Sequence, residues 1–176
     1  MSDKAFTRQR IVSALQALGD DLSRQGVHGQ IFIVGGAAMA LAYSSRRVTK
    51  DIDAVFEPKA IIYQTAGRVA ENLGLPEDWL NDAVKGFLPG TDEYAQPLPE
   101  VQGLEVTTAS PRYLLAMKLM AMRFGEDDED IQILLRQAGI TTAHDALDLL
   151  TTMYPHREPP LKTQLFLEEI LELDET

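Results

Sequence analysis

Two stretches organise this chain: Ile31-Phe32-Ile33-Val34-Gly35-Gly36, and then Asp51-Ile52-Asp53-Ala54-Val55-Phe56. The first is an apolar run that stops at two glycines. The second is an apolar run that starts with two carboxylates. Side chains of a strand alternate between faces, so Asp51 and Asp53 point the same way, roughly 6.5–7 Å apart along the strand. Ile52 and Ala54 take the opposite face. Aspartate is a poor strand former, and two on one face repel unless a cation or basic group sits between them. Such a pair can hold a divalent cation and present it to a polyphosphate above the glycine turn. The competing reading is a surface loop in which both aspartates bridge to Arg46, Arg47 or Lys50. Gly35-Gly36 alone does not decide between them, since many strand–helix turns use glycine. No Gly-Lys-Ser/Thr follows, and a third glycine is missing, so neither the Walker loop nor the dinucleotide fingerprint applies. Glycines and aspartates together favour a site.

Outward from these stretches, the pattern begins as strand–helix–strand–helix. Ile11, Val12, Leu15, Leu18 and Leu22 predict a helix over 7–25. A buried strand over 30–34 leads into a small-residue helix over 36–44, a polar loop, a strand over 52–56 and a helix over 59–73. Pro76 opens a short helix to Lys85 anchored by Trp79 and Leu80. Residues 86–102, with three prolines and two glycines, form a long loop with room for a short strand. Leu104-Glu105-Val106-Thr107 alternates like another strand. The rest is helical, over 111–123, 127–137, 143–152 and 161–173, with Ser110-Pro111 as cap and first residue. The expected fold is α+β (α/β-like), a small mixed sheet with helices. The core spans 1–109, and a helical region spans 110–176.

Composition narrows the chemistry. The chain has 176 residues, 45% of them hydrophobic, which fits a folded domain with a substantial core. It has no cysteine, so thiol catalysis, disulfides and cysteine-held zinc are excluded. His28, His144 and His156 are far apart in the chain. No 18-residue apolar run predicts a membrane span, and the N-terminus lacks a signal pattern, so a cytoplasmic location is expected. The net charge of −11 argues against a large nucleic-acid groove. Much of that charge is grouped, at Glu126-Asp127-Asp128-Glu129-Asp130 and near the C-terminus. Arg8, Arg10, Arg24, Arg46, Arg47 and Lys50 all precede Asp51, so a local positive patch is expected there.

Lys118 lies among Leu114, Leu115, Leu119 and Met122. A lysine there either pairs with a carboxylate, meets a nucleotide's phosphates or extends to solvent. Arg123, one turn and a residue later and slightly off that face, is a second candidate to meet a nucleotide's phosphates or an active-site carboxylate. The acidic block opens a helix, where carboxylates favour the dipole. Asp127 and Asp130 share a face, suited to lock Lys118 or Arg123 or to act in chemistry. Glu105, on a neighbouring strand, is a candidate third metal carboxylate or a solvent-facing glutamate.

Phe-Ile-Val-Gly35-Gly36-Ala-Ala-Met-Ala-Leu, then Arg-Arg-Val-Thr-Lys-Asp51-Ile-Asp53-Ala-Val-Phe, resembles the minimal nucleotidyltransferases of toxin–antitoxin and abortive-infection systems, the AbiEii-like group. Lys118 on a later helix and Asp127-x-x-Asp130 after it extend the likeness over residues 28–137. Size and acidic blocks look nearest to the short mycobacterial toxins that act on tRNA. The resemblance implies the DNA polymerase beta-like nucleotidyltransferase fold. It implies catalytic Asp51, Asp53, Lys118 and Asp127 or Asp130, with phosphates over Gly35-Gly36 and Lys118. Magnesium would lie on Asp51 and Asp53, with Glu105 or a helical aspartate as a further ligand, and a nucleoside triphosphate (NTP) would be the substrate. It also implies the 3′ end of tRNA as acceptor, blocking aminoacylation, and a cognate antitoxin as partner. The motif often has serine second, where this chain has Gly36. The rivals are transfer to a protein or small-molecule hydroxyl, which suits an acidic surface, and a non-catalytic toxin–antitoxin partner.

Overall fold

The computed structural model describes residues 5–44 and 47–172. Arg46, singled out above, and part of the acidic group near the C-terminus, Asp174 and Glu175, lie outside them. The chain divides into two compact units: Met1–Gly86 with Tyr94–Ala109, and Phe87–Glu93 with Ser110–Thr176.

The first unit holds a five-stranded mixed sheet of β1 (Gly29–Ile33), β2 (Ile52–Glu57), β3 (Leu80–Asn81), β4 (Gln96–Pro97) and β5 (Leu104–Thr108), in the order β3-β2-β1-β5-β4. β1 runs antiparallel to β2 and parallel to β5, with Ile31 opposite both Phe56 and Val106. Ile31, Ile33, Ile52, Ala54, Phe56, Leu104 and Val106 are buried on one face. That face is covered by α1 (Arg8–Arg24) and α3 (Lys59–Leu73), which pack on each other and on the strands. Gly29 lies where the three layers close: a β-carbon there would fall 2.9 Å from Leu104, 3.0 Å from Leu22 and 3.3 Å from Ile62. The other face carries Gln30, Phe32, Asp53, Val55, Glu105 and Thr107, of which none is fully buried. α1 and α3 thus lie on the face opposite the Asp53 side chain.

Two local expectations change. The region read as a helix from Pro76 to Lys85 is a turn, strand β3 and a 3-10 turn over Ala83–Phe87. Pairing wins there: Leu80 and Asn81 join β2 in parallel opposite Ile52 and Asp53, and Ile52 N–H donates to Trp79 O at 2.7 Å. Trp79 is fully buried and its indole N–H donates to Ala66 O at 2.9 Å, so the ring anchors α3 against the sheet. The helix expected over 36–44 is α2 (Gly35–Ala38) passing into a π-helical turn over Met39–Tyr43. Tyr43 ends it by donating to Ala109 O at 2.8 Å.

The second unit contains α4 (Pro111–Met120), α5 (Asp128–Ala138), α6 (Ala143–Met153) and α7 (Leu161–Glu172). Ser110 caps α4 through the Tyr113 amide and is itself held by both oxygens of Asp92. α4 stops at Met120, shorter than its apolar pattern predicts. Lys162 and Thr163 of α7 then take up the carbonyls of Met122 and Leu119, each at 2.9 Å. No described helix is long and apolar enough to cross a membrane.

Candidate functional site

β1 ends at Ile33, and Val34 N–H donates to Asp53 O at 2.9 Å. Asp53 therefore sits level with the end of β1, where the chain turns into α2. Gly35 makes that turn at φ +64°, a conformation that L side chains rarely adopt. A β-carbon on Gly35 would fall 3.2 Å from the Asp53 carboxylate, so glycine also leaves room for the acid. Asp51 and Asp53 are both half-buried, with Ile52 fully buried between them, as strand alternation requires.

Burial first, and the neighbouring Asp51 charge second, push the Asp53 carboxyl above the usual carboxylate range, against a hydrogen bond from Asn81. Asn81 Nδ2 also donates to Asp51 Oδ2 at 3.3 Å. One amide thus bridges two like-charged groups. The oxygen donors gathered here suit a hard cation that takes one or two carboxylates and completes its shell with water and substrate phosphate. Among the described residues no cluster of three or more histidines and carboxylates occurs, so the pair does not make a full protein cage.

Gly36 is walled by two more residues. A β-carbon there would lie 2.8 Å from Thr49 Oγ1 and 3.9 Å from the Arg47 guanidinium. Thr49 is held in place by paired backbone bonds with Phe6, at 2.7 and 3.0 Å. Arg47, Thr49, Asp51 and Asp53 are all half-buried, while Val48 and Lys50 between them are exposed. Counting back by two from Asp53 puts Thr49 on the aspartate side, but no apolar pattern in Arg47-Val48-Thr49-Lys50 marks it. Asn81 could not have been found that way, because it arrives through a distant strand pairing.

Glu105 is not brought to the pair. It lies opposite Gln30, which lies opposite Glu57, four residues along β2 from Asp53. At about 3.3 Å per residue this is roughly 13 Å away along the sheet. Its carboxylate is exposed, accepts from Gln30 at 3.2 Å and lies 3.7 Å from His28. The basic residues are also not one patch. Arg8 is bound to Glu100 at 2.6 Å, and Arg24 is at the far end of α1. Arg10 stacks on Phe6, 5.2 Å from its ring centre, and Phe6 bridges to Thr49, which keeps Arg10, Arg47 and Lys50 in one neighbourhood.

In the second unit, Lys118 Nζ lies 3.0 Å from Asp127 and 3.0 Å from Asp130, both buried. Arg123 closes on Asp127 with its backbone N–H at 2.9 Å and its guanidinium at 3.1–3.2 Å. Burial works to raise the Asp127 carboxyl, but Arg123 and Lys118 outweigh it and hold the group below the usual carboxylate range. This cluster ties the end of α4 to the start of α5. Of the roles left open for Asp127 and Asp130, the contacts observed are with Lys118 on both and with Arg123 on Asp127.

Residues 10–157 match the family model described as a nucleotidyltransferase of unknown function (DUF6036). No curated protein matches the chain. Among solved structures, an antigenic nucleotidyltransferase-like protein from Paracoccidioides brasiliensis is similar in fold, with TM-score 0.50 and 15% identity over 93% of this chain and 95% of that one.

Proposed function

The chain belongs to the nucleotidyltransferases of unknown function grouped as DUF6036, and from that premise we propose that it transfers a nucleotide from an NTP to an acceptor hydroxyl at Asp51, Asp53 and the Gly35–Gly36 turn. The observation that carries this reading is the Asp53 carboxylate lying directly against Gly35, with Thr49 and Arg47 against Gly36. Acid and phosphate cradle then belong to one turn.

In this mechanism Asp51 and Asp53 would hold magnesium, with Asn81 keeping their carboxylates aligned. When bound, the ion would neutralise charge on the α-phosphate and on the departing pyrophosphate. The Gly35–Gly36 turn lets backbone approach the phosphates closely. The acceptor oxygen forms a bond to the α-phosphorus, the bond from that phosphorus to the bridging oxygen of pyrophosphate breaks, and the hydroxyl proton passes to water. Lys118 is engaged by Asp127 and Asp130 within the second unit and takes no step in this scheme. Its observed partners favour a structural role for Asp127, Asp130 and Arg123.

Resemblance to the AbiEii-like group puts the 3′ end of tRNA first as acceptor, with a toxin role and a cognate antitoxin. Arg10, Arg47 and Lys50 are the candidates for contact with an RNA backbone, and Arg8 and Arg24 do not join them. The net charge of −11 favours a second reading, transfer to a protein or a cationic small molecule. The test is incubation with magnesium, each α-labelled NTP and total tRNA, beside an Asp53→Asn control. Label on RNA that is lost in the control supports tRNA modification. Label on protein alone supports the second reading. With no label and no magnesium-dependent nucleotide binding, the enzyme reading fails in favour of a partner-binding role.

A further inference from the structure

The Gly36 position raises a separate question about how the turn recognises phosphate. Glycine removes any side chain from that position, yet the space beside it is filled from the opposite wall. A β-carbon on Gly36 would fall 2.8 Å from Thr49 Oγ1 and 3.2 Å from Thr49 Cβ. Real β-carbons do not approach that closely, so a side chain at 36 and the hydroxyl at 49 exclude each other. The Thr49 backbone is pinned on both sides by Phe6, so it cannot simply swing aside. Its hydroxyl donates to Asp51 O at 3.2 Å, long for an O–H···O bond and easily exchanged for a charged acceptor. The Arg47 guanidinium, 3.9 Å from the same point, brings a positive charge to the turn that faces Asp53.

Resting on the nucleotidyl-transfer reading above, we propose that Thr49 and Arg47 are the phosphate-binding side chains of this site, with the Thr49 hydroxyl serving where Gly36 has none. The ligand is the triphosphate of the incoming nucleotide. Arg47 meets its charge, and Thr49 donates to a phosphate oxygen beside the turn. One short stretch, the approach to β2 and its start, then supplies both halves of the site, Arg47 and Thr49 for phosphate and Asp51 and Asp53 for the metal.

The test is NTP binding by calorimetry in magnesium, with manganese binding measured separately by electron paramagnetic resonance. A hydrogen bond to a charged group supports an affinity loss of about ten- to a hundredfold for Thr49→Val, with Thr49→Ser close to the parent. Arg47→Gln should weaken NTP more than the parent nucleoside. Manganese binding should be unchanged in these variants. Gly36→Ser alone should weaken NTP binding through the clash. Combined with Thr49→Ala, which removes the crowding oxygen, it should bind NTP better than Thr49→Ala alone, because the hydroxyl returns from the other wall. A purely structural role for Thr49 does not predict that recovery. Unchanged NTP affinity in Thr49→Val, or no recovery in the double variant, overturns this proposal and leaves nucleotidyl transfer standing. Absence of NTP binding by the parent protein overturns both.

Discussion

Replacing Asp53 with asparagine should strengthen the metal-free protein while abolishing transfer. Burial and the adjacent Asp51 charge hold the Asp53 carboxyl above the usual range. A carboxyl whose folded pKa exceeds its unfolded value binds more protons folded than unfolded, so stability falls as pH rises between the two values. The penalty is complete above the raised value and absent below the unfolded one. Asparagine keeps the shape and removes the charge. Relief of this kind is commonly worth about 0.5–2 kcal/mol. In a chain of this size each kcal/mol moves Tm by about 2–4 °C, so the expected gain is roughly 1–8 °C. Trp79, fully buried with its carbonyl accepting from Ile52 at 2.7 Å, reports the unfolding of this unit by fluorescence. The gain should be present at neutral pH and shrink in acid as the parent's Asp53 takes up its proton. Magnesium should reverse the order: at about ten times its Kd it stabilises the parent by about 1.4 kcal/mol and leaves the variant unmoved. A variant that melts below the parent without metal at neutral pH would refute the electrostatic reasoning. Equal magnesium shifts in both proteins would refute the assignment of Asp53 as a ligand.

Three further outcomes follow from named contacts. Lys118→Met removes the cation that two buried carboxylates share and should cost about 3–5 kcal/mol, read by circular dichroism of the helices in denaturant. Asp127, held below its ordinary range, gives the parent stability above the unfolded carboxylate value that is lost as pH falls through the folded one. The Lys118→Met deficit should therefore narrow in acid, and a deficit that widens would contradict the pairing. Gly35→Ala forces a left-handed backbone on a β-carbon 3.2 Å from the Asp53 carboxylate. It should cost about 1–3 kcal/mol and weaken metal binding, and unchanged melting and manganese affinity would count against the tight turn. Glu105→Gln should leave transfer within about twofold of the parent, whereas a loss of about a hundredfold or more, typical of catalytic groups, would place Glu105 in the site after all.

Short apolar runs bounded by glycines and carboxylates made the strands around Ile33 and Ala54 legible, and the period of two then states which residues share a face. Gly35, Asp51 and Asp53 were legible for the same reason: their spacing states which way they point before any neighbour is known. Lys118 was conspicuous as a charge inside an apolar helix, and a buried ammonium must find an anion, which Asp127 and Asp130 supplied. What the chain could not state locally was pairing between distant segments. Leu80-Asn81 lies in a stretch with a proline-led helical look, yet β2 offers it a ladder, and that brings Asn81 onto Asp51. Glu105 shares a face with Asp53, but register sets it four residues away along the sheet. Thr49 gains its meaning only because Phe6, far away in the chain, pins it across from Gly36. Local period determines which face a side chain takes. Only closure of the sheet and its loops determines what stands opposite, because that depends on contacts whose loop-closure cost and reward are settled by the whole fold.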